Sequence, residues 1–357
     1  MFPADYATAR LRFREAAARA GWRAYARAVD PRGPSGEPLW IDAAVSPHPD
    51  ARRTLVISSG LHGVEGFFGA AVQLALLEAW RVDPPAVRCV LLHALNPFGF
   101  AWLRRTDDRN VDLNRNFLRE GESYRGAPDG YAALDGALNP QRPPAAWDAW
   151  ILTLVPALLR RGPARITRAI AVGQYTFPKG LFYGGSGPTP ARLAIEAGLR
   201  EWLAGSADVV HLDLHTGLGK WEEANLLVDY PPSAPQRERL IRWFGPDCVR
   251  LPEGRAPDYS ARGAFGPWCV SAGLAPEYLF AYAEFGTFSG ARVLSGLRRE
   301  NQAHHWGAPE DPSTVTAKQT LKELFCPPDS AWRSRTVARA VELARRARAG
   351  LEASCRS

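Results

Sequence analysis

The chain has no long apolar run. Its 357 residues are 46% hydrophobic, with 12 tryptophans and 15 phenylalanines, yet no stretch approaches the roughly 18 apolar residues that span a bilayer. Residues 1–21 carry scattered charges and lack the apolar segment of a signal peptide, so they predict a surface helix. We therefore expect a soluble, cytoplasmic protein with no membrane partner and a sizeable core.

The sequence also lacks cysteines at the spacing of a paired motif. The five cysteines are an odd number, and no two of them have C-x-x-C spacing. Neither a disulfide framework nor a cysteine-held zinc site is therefore expected.

Lysine is scarce, although the chain is basic. Only four of the 44 basic residues are lysine, and the formal net charge is +7. Because the arginines are spread along the chain, we expect no nucleic-acid partner. The positive charge is compatible with carboxylate substrates.

Short apolar runs alternate with longer helical segments. The runs predict buried strands at 54–59, 87–95, 209–214, 224–229 and 278–284. The longer segments predict helices at 66–80, 145–161, 190–204 and 331–351. This alternation indicates an α/β sheet covered on both faces. Since no linker divides the chain, we expect one domain with a long insertion at about 118–206.

The first chemical signal follows the strand predicted at 54–59. His62 and Glu65 lie three residues apart at the mouth of a helix, so both side chains can face one point. In open α/β sheets, ligands bind beyond the carboxyl ends of the strands. An imidazole and a carboxylate are two of the three protein ligands that a catalytic zinc needs. On its own, the pair more often indicates a surface contact between a histidine and a glutamate, because many helices carry this spacing by chance.

The candidate for the third ligand is His215. It ends a strand-like run and precedes a glycine-rich turn, so it would share an edge of the sheet with His62 if the strands are parallel. His211 would lie about 13 Å back along the same strand, and we interpret it as a core histidine.

Two further polar positions stand out. In the segment NVDLNRNF, Asp112 and Asn114 point the same way if the chain is extended, and Arg115 offers a planar fork suited to a carboxylate. Glu284 ends an apolar strand, where a carboxylate is costly to bury unless it has a partner or a task. It could be a general base beside a metal-activated water. The alternative for the segment NVDLNRNF is an exposed loop. The alternative for Glu284 is a side chain that reaches solvent from the end of the strand.

These motifs together resemble the zinc carboxypeptidase family. The family pattern is H-x-x-E, N-P-x-G, an arginine before D-x-N-R-N, a strand-end histidine and a strand-borne glutamate. The sequence has them in that order, at 62–65, 96–99, 105, 112–116, 213–216 and 284–286. The residues around these motifs resemble those of a divergent branch that is classified as a domain of unknown function. The resemblance implies a mixed, twisted β-sheet with helices on both faces (phosphorylase/hydrolase-like) and a single catalytic domain over residues 1–357.

The resemblance also implies a metal centre. His62, Glu65 and His215 would bind one Zn²⁺ ion, although manganese or cobalt could occupy such a site. Glu284 would be the general base, which deprotonates the water that zinc activates and then protonates the leaving nitrogen.

The substrate-binding residues follow by the same resemblance. Arg105 would stabilise the oxyanion, and Asn114 with Arg115 would hold the terminal carboxylate of the substrate. Asp112 would accept a hydrogen bond from a ligand histidine and so fix its orientation. Tyr259 would be the family's mobile tyrosine.

The sequence departs from the family pattern at several places. Val64 and Phe98 replace an arginine and an aspartate of typical members, and the uncharged segment 264–266 disfavours a basic terminal residue. We expect a carboxypeptidase that removes the C-terminal residue of a peptide. The first alternative is a deacylase of small N-acyl amino acids, of the aspartoacylase type. The second is a non-catalytic binding protein on the same fold.

Overall fold

The sheet is mixed and its strands are not in chain order. The structure, a computed structural model, describes residues 2–48, 52–145, 148–150, 152–153, 159–160, 162–252 and 261–353. Within these ranges the strands are β1 (Arg23–Arg32), β2 (Pro38–Val45), β3 (Arg53–Ser59), β4 (Arg88–His93), β5 (Asp208–Thr216), β6 (Ala224–Leu227), β7 (Val249–Arg250) and β8 (Glu277–Phe285). Their spatial order is β1-β2-β4-β3-β5-β8-β6-β7.

The helices flank this sheet. They are α1 (Tyr6–Arg19), α2 (Gly66–Val82), α3 (Pro97–Ala101), α4 (Tyr131–Leu138), α5 (Pro163–Ala171), α6 (Pro190–Trp202), α7 (Ala234–Phe244), α8 (Phe265–Ser271), α9 (Gly290–Trp306), α10 (Pro312–Phe325) and α11 (Ser330–Ala353). Across the described ranges, none of the helices is both long and apolar enough to cross a membrane.

The four central strands are parallel. β4 pairs with β3, β3 with β5, and β5 with β8, all in parallel. The pairs β1–β2, β2–β4 and β6–β8 are antiparallel, and β6–β7 is parallel. Because parallel strands end at the same edge, the residues that follow β3 and those that end β5 and β8 are neighbours.

Helices cover both faces of the sheet, as predicted. Ser59 of β3 faces α2 so closely that a Cβ on Gly69 would lie 2.3 Å from the Cβ of Ser59. The preceding residue, Ser58, points to the other face and donates a hydrogen bond to Asp213 of β5. On that second face the ring of His211 packs against Phe265 of α8. The predicted α/β fold class is therefore confirmed.

Most predicted elements are present. The five predicted strands correspond to β3, β4, β5, β6 and β8, and four predicted helices correspond to α1, α2, α6 and α11. The helix predicted at 145–161 lies largely outside the described residues. Within 118–206, a separate apolar cluster forms around Tyr131, Leu134 and Ile170, while α6 packs on the main core through Ile195 and Leu199. The single-domain organisation and the bounds of the insertion stay predictions.

Candidate active site

Three side chains of the predicted metal site meet at the carboxyl edge of the sheet. His62 follows β3, Glu65 ends the short 3₁₀ turn Gly63–Glu65, and His215 lies near the end of β5. Nδ1 of His62 lies 2.9 Å from Oε1 of Glu65, and Nδ1 of His215 lies 3.0 Å from Oε2 of Glu65. All three side chains are buried.

The turn that carries His62 and Glu65 is held by the N-P-F-G segment. The backbone N–H of Gly63 donates to the carbonyl of Arg105. The side chain of Asn96 donates to the same carbonyl and accepts from the N–H of Gly99. A Cβ on Gly63 would lie 2.1 Å from the backbone of Gly99, so only glycine permits this close approach.

A carboxylate orients each histidine from behind. Nε2 of His215 lies 2.6 Å from Oδ2 of Asp213, and Nε2 of His62 lies 3.2 Å from Oδ1 of Asp112. Asp112 therefore lies close to a candidate ligand histidine, and its hydrogen bond to that histidine stays a prediction. Although burial alone would raise it, the charges of Arg105 and His62 hold the pKa of Asp112 well below its ordinary value. Asp213 was missed, although its position two residues before His215 on a strand puts both side chains on one face.

This donor set fits a divalent transition metal. One ring nitrogen of each histidine and a Glu65 oxygen lie within 4.8 Å of one another, and nitrogen and oxygen ligands on one zinc ion are roughly 3.3 Å apart. Both Nδ1 atoms face the carboxylate of Glu65, and a further carboxylate lies near each Nε2 atom, an arrangement typical of metal-binding histidines. The described part of the chain contains no second group of three ligating side chains this compact.

Glu284 stands beside this cluster. It pairs with His215 in the register of β5 and β8, and therefore lies on the same face of the sheet. Its Oε1 accepts a hydrogen bond of 2.8 Å from the backbone N–H of Leu218. Burial, together with the negative charge of Glu65, raises the pKa of Glu284 to about 7. A carboxyl group with such a pKa can both take up and release a proton at neutral pH.

Arg105 reaches the cluster from the segment after α3. Its Nε donates to Oδ2 of Asp112 at 2.9 Å, and its Nη1 lies 3.8 Å from Oε1 of Glu65. The side chain of Arg105 is 15% exposed, more than those of His62 and Glu65, at 5% and 2%. Its guanidinium group therefore lies between the cluster and solvent.

Asn114 and Arg115, which are the predicted carboxylate-binding pair, already use part of their hydrogen-bonding capacity within the protein. Oδ1 of Asn114 accepts hydrogen bonds from the N–H of Phe265 and the hydroxyl of Tyr282, which leaves its NH₂ group directed elsewhere. Arg115, by contrast, donates from Nη1 to the carbonyl of Asn114 and from Nη2 to that of Ala171. Among the described residues, its buried Nε has no acceptor. Burial lowers the pKa of Arg115.

One histidine prediction and one tyrosine prediction complete the comparison. His211 is buried away from the cluster, between the hydroxyl groups of Ser58 and Tyr278, in agreement with its interpretation as a core residue. Burial lowers the pKa of His211 to about 4. Tyr259 lies outside the described residues.

The protein combines a mixed α/β sheet with a His–Glu–His cluster and a neighbouring glutamate at the carboxyl edge of that sheet. Its class is therefore that of an α/β protein with a candidate metal site. The chain belongs to the family described as protein of unknown function (DUF2817), whose family model matches residues 2–339. This membership confirms the prediction of a branch filed as a domain of unknown function. No curated protein matches the sequence.

Several solved structures are similar to this chain. Carboxypeptidase A from Helicoverpa armigera has 13% identity and a TM-score of 0.46, with 95% of this chain and 73% of that chain covered. Bovine thrombin-activatable fibrinolysis inhibitor, in complex with tick carboxypeptidase inhibitor, has 12% identity and a TM-score of 0.47, covering 96% and 97%. Succinylglutamate desuccinylase from Chromobacterium violaceum has 15% identity and a TM-score of 0.39, covering 89% and 74%. At these TM-scores the likenesses carry no argument about activity.

Proposed function

We propose that this protein is a zinc-dependent hydrolase that cleaves an amide bond close to a free carboxylate, and that it removes the C-terminal residue of a peptide. One observation supports this most directly. A buried cluster of His62, Glu65 and His215, suited to a metal, lies on the same sheet face as Glu284, whose pKa is raised to about 7. If the His62–Glu65–His215 cluster were only a structural ion pair, it would not need a group beside it that can transfer a proton.

Each residue then has a distinct task. A bound Zn²⁺ would supply Lewis-acid polarisation of the scissile carbonyl and lower the pKa of water. Glu284 accepts a proton from the attacking water as the new C–O bond forms, and delivers it to the amide nitrogen as the C–N bond breaks. Arg105 stabilises the negative charge that develops on the carbonyl oxygen, a contribution typically of about 3 kcal/mol. Asn114 and Arg115 bind the substrate carboxylate.

A second candidate is hydrolysis of small N-acyl amino acids at the same centre. The observation in its favour is the cover over Arg115, whose Nη2 binds the carbonyl of Ala171 and whose side chain packs against Gly173, both in the predicted insertion. A covered site suits a small substrate better than a peptide.

A paired-substrate assay tests both candidates. The zinc-loaded protein is incubated with peptides and with N-acyl amino acids, each as the free acid and as the C-terminal amide. Release of the last residue from free-acid peptides supports the first candidate. Cleavage of the N-acyl amino acids alone would replace it with the second.

The third reading, a non-catalytic binding protein, is tested by substitution. Glu284→Gln should lower turnover by about 100-fold or more and leave zinc binding intact, because a general base contributes on that order. Glu277→Gln, an exposed position on the same strand, is the matched control and should keep full turnover. Equal turnover in the wild type and Glu284→Gln would remove this residue from the mechanism.

A further inference from the structure

One aromatic side chain of the predicted insertion touches both arginines of the candidate site. The guanidinium carbon of Arg105 lies 5.4 Å from the ring centre of Phe182, and that of Arg115 lies 5.9 Å from it. Both distances are within the range of cation–π attraction. Nothing in the sequence motifs pointed to Phe182, because it lies outside every one of them.

The backbone holds Phe182 in an unusual conformation. Its φ is +57°, in the left-handed region that residues other than glycine rarely adopt. The neighbouring peptide groups fix this conformation: the N–H of Gln174 donates to the carbonyl of Phe182, and the hydroxyl of Tyr131 donates to that of Leu181. Strain of this kind persists where the surroundings over-determine it, and it clusters at functional sites.

The same segment is tied directly to the site. The backbone N–H of Asp112, the residue behind His62, donates to the carbonyl of Tyr183 at 2.8 Å. The position of the Phe182 ring is therefore fixed relative to the segment that carries Asp112 and Arg115.

Two positive groups this close to each other need compensation. Burial is the main cause of the lowered pKa of Arg115, and the like charge of Arg105 lowers it further. Asp112 neutralises Arg105 from one side. The negative face of an aromatic ring attracts both guanidinium groups without occupying any N–H donor. The N–H groups that do not already bind Asp112, Asn114 or Ala171 therefore remain available for an anion.

We propose that Phe182 is a positioning residue for carboxylate recognition: its ring holds the guanidinium groups of Arg105 and Arg115 in place and leaves their remaining hydrogen-bond donors to the substrate. This inference rests on the proposed function, since it assumes that the site binds a carboxylate. It assigns a substrate-positioning role to the predicted insertion.

Binding of a small probe tests the inference without the need for turnover. Dissociation constants are measured by ligand-observed NMR on the zinc-loaded chain for N-acetylglycine and for its uncharged amide, N-acetylglycinamide. Both probes lack a side chain, so side-chain preference does not enter. The wild type should bind the acid more tightly than the amide. Equal binding of the two by the wild type would overturn the proposed carboxylate recognition itself, and the role of Phe182 with it.

Three substitutions separate the ring from the backbone. Phe182→Leu, which keeps the strained conformation and loses the ring, should weaken N-acetylglycine binding about tenfold, in line with the loss of desolvated cation–π contacts. Phe182→Tyr keeps the ring and should stay within about twofold of the wild type. Phe182→Gly relieves the backbone strain, and should still bind the acid as weakly as Phe182→Leu.

The matched control is Phe177→Leu. Phe177 lies in the same insertion and packs on Tyr131, so its loss should leave the acid-to-amide preference unchanged. Wild-type preference in Phe182→Leu or in Phe182→Gly would overturn the role of the ring while leaving the proposed function intact. If Phe177→Leu lost as much of the acid-to-amide preference as Phe182→Leu, the cause would be a general packing effect. That result would also overturn the role of the Phe182 ring.

Discussion

The two glutamates of the candidate site have opposite electrostatic environments. Although burial alone would raise both values, contacts with His62 and His215 lower the pKa of Glu65 to about 2, whereas the pKa of Glu284 rises to about 7. Neighbouring carboxyl groups whose pKa values are driven apart in this way typically divide the work of charge stabilisation and proton transfer. Glu65 is thus suited to bind a cation and Glu284 to move a proton.

Removal of the charge behind His215 should weaken the metal site. Asp213→Asn keeps the shape of the side chain but loses the carboxylate that contacts Nε2 of His215. We expect the zinc affinity to fall by roughly 10- to 100-fold, since outer carboxylates orient ligand histidines and raise their basicity. Competition with a chelator measures the affinity. Asp42→Asn, at a buried aspartate paired with Arg10 and Arg14, should leave it unchanged.

A buried histidine remote from the site predicts a pH effect on stability. Burial lowers the pKa of His93 from 6.5 to about 4, so the folded protein keeps this ring neutral while the unfolded chain takes up a proton. The free energy of unfolding should therefore fall as pH drops from 6.5 towards 4. In His93→Gln the slope should be shallower by up to about 1.4 kcal/mol per pH unit. Denaturant titrations at several pH values measure it, and parallel curves for the two proteins would contradict it.

At the residue level, the sequence was informative where spacing constrains chemistry. His62, Glu65 and His215 were proposed as ligands because each follows or ends a strand, and parallel strands bring their ends together. The hydrogen bond from Arg115 to the carbonyl of Ala171 could not be predicted, because it depends on how the insertion folds back onto the site.

Among the elements, the edge hairpin and the helices α9 and α10 were not predicted. β1 is mostly exposed and carries Asp30 and Pro31, so it lacks the apolar signal of a buried strand. α9 buries charged and amide side chains, among them Arg298 and Glu300, that hydropathy assigns to a surface. They are tolerated because they are paired: Glu300 accepts hydrogen bonds from both Arg104 and Lys318.

The contact of α2 with β3 predicts an unusual outcome for a glycine substitution. Gly69→Ala would add a Cβ 2.3 Å from that of Ser59, and we expect a loss of about 1–3 kcal/mol in the free energy of unfolding. In α4, Gly136→Ala meets nothing within 4 Å and should instead stabilise the protein by about 1 kcal/mol. Thermal or denaturant unfolding compares the two variants, and stabilisation by Gly69→Ala would contradict the described packing.

At the scale of the whole molecule, the candidate site links distant parts of the chain. Its ligands come from β5 and from the turn after β3, and the carboxyl group of Glu284 comes from β8. A ligand that joins such segments stabilises the folded state because the unfolded chain does not offer the site.

Zinc should therefore raise the stability of the entire fold. At a free concentration about 1,000 times the dissociation constant, the gain should approach about 4 kcal/mol. Calorimetric unfolding with and without zinc measures it. His215→Ala should lose the gain, whereas Glu284→Gln should keep it. An equal gain in His215→Ala would show that the ion binds elsewhere.

Arg104 and Arg105 are adjacent in sequence but have different environments. The guanidinium group of Arg104 is 1% exposed and is held by Glu300, Asn110 and Asn301, while that of Arg105 lies at the candidate site. Insertion of one residue between Asn96 and Arg104 would move Arg104 to the site and leave Leu103 at the buried position, whereas deletion of one residue would bury Arg105 and leave Thr106 at the site. Natural and engineered changes in chain length should therefore be tolerated far less here than in the turn between β1 and β2.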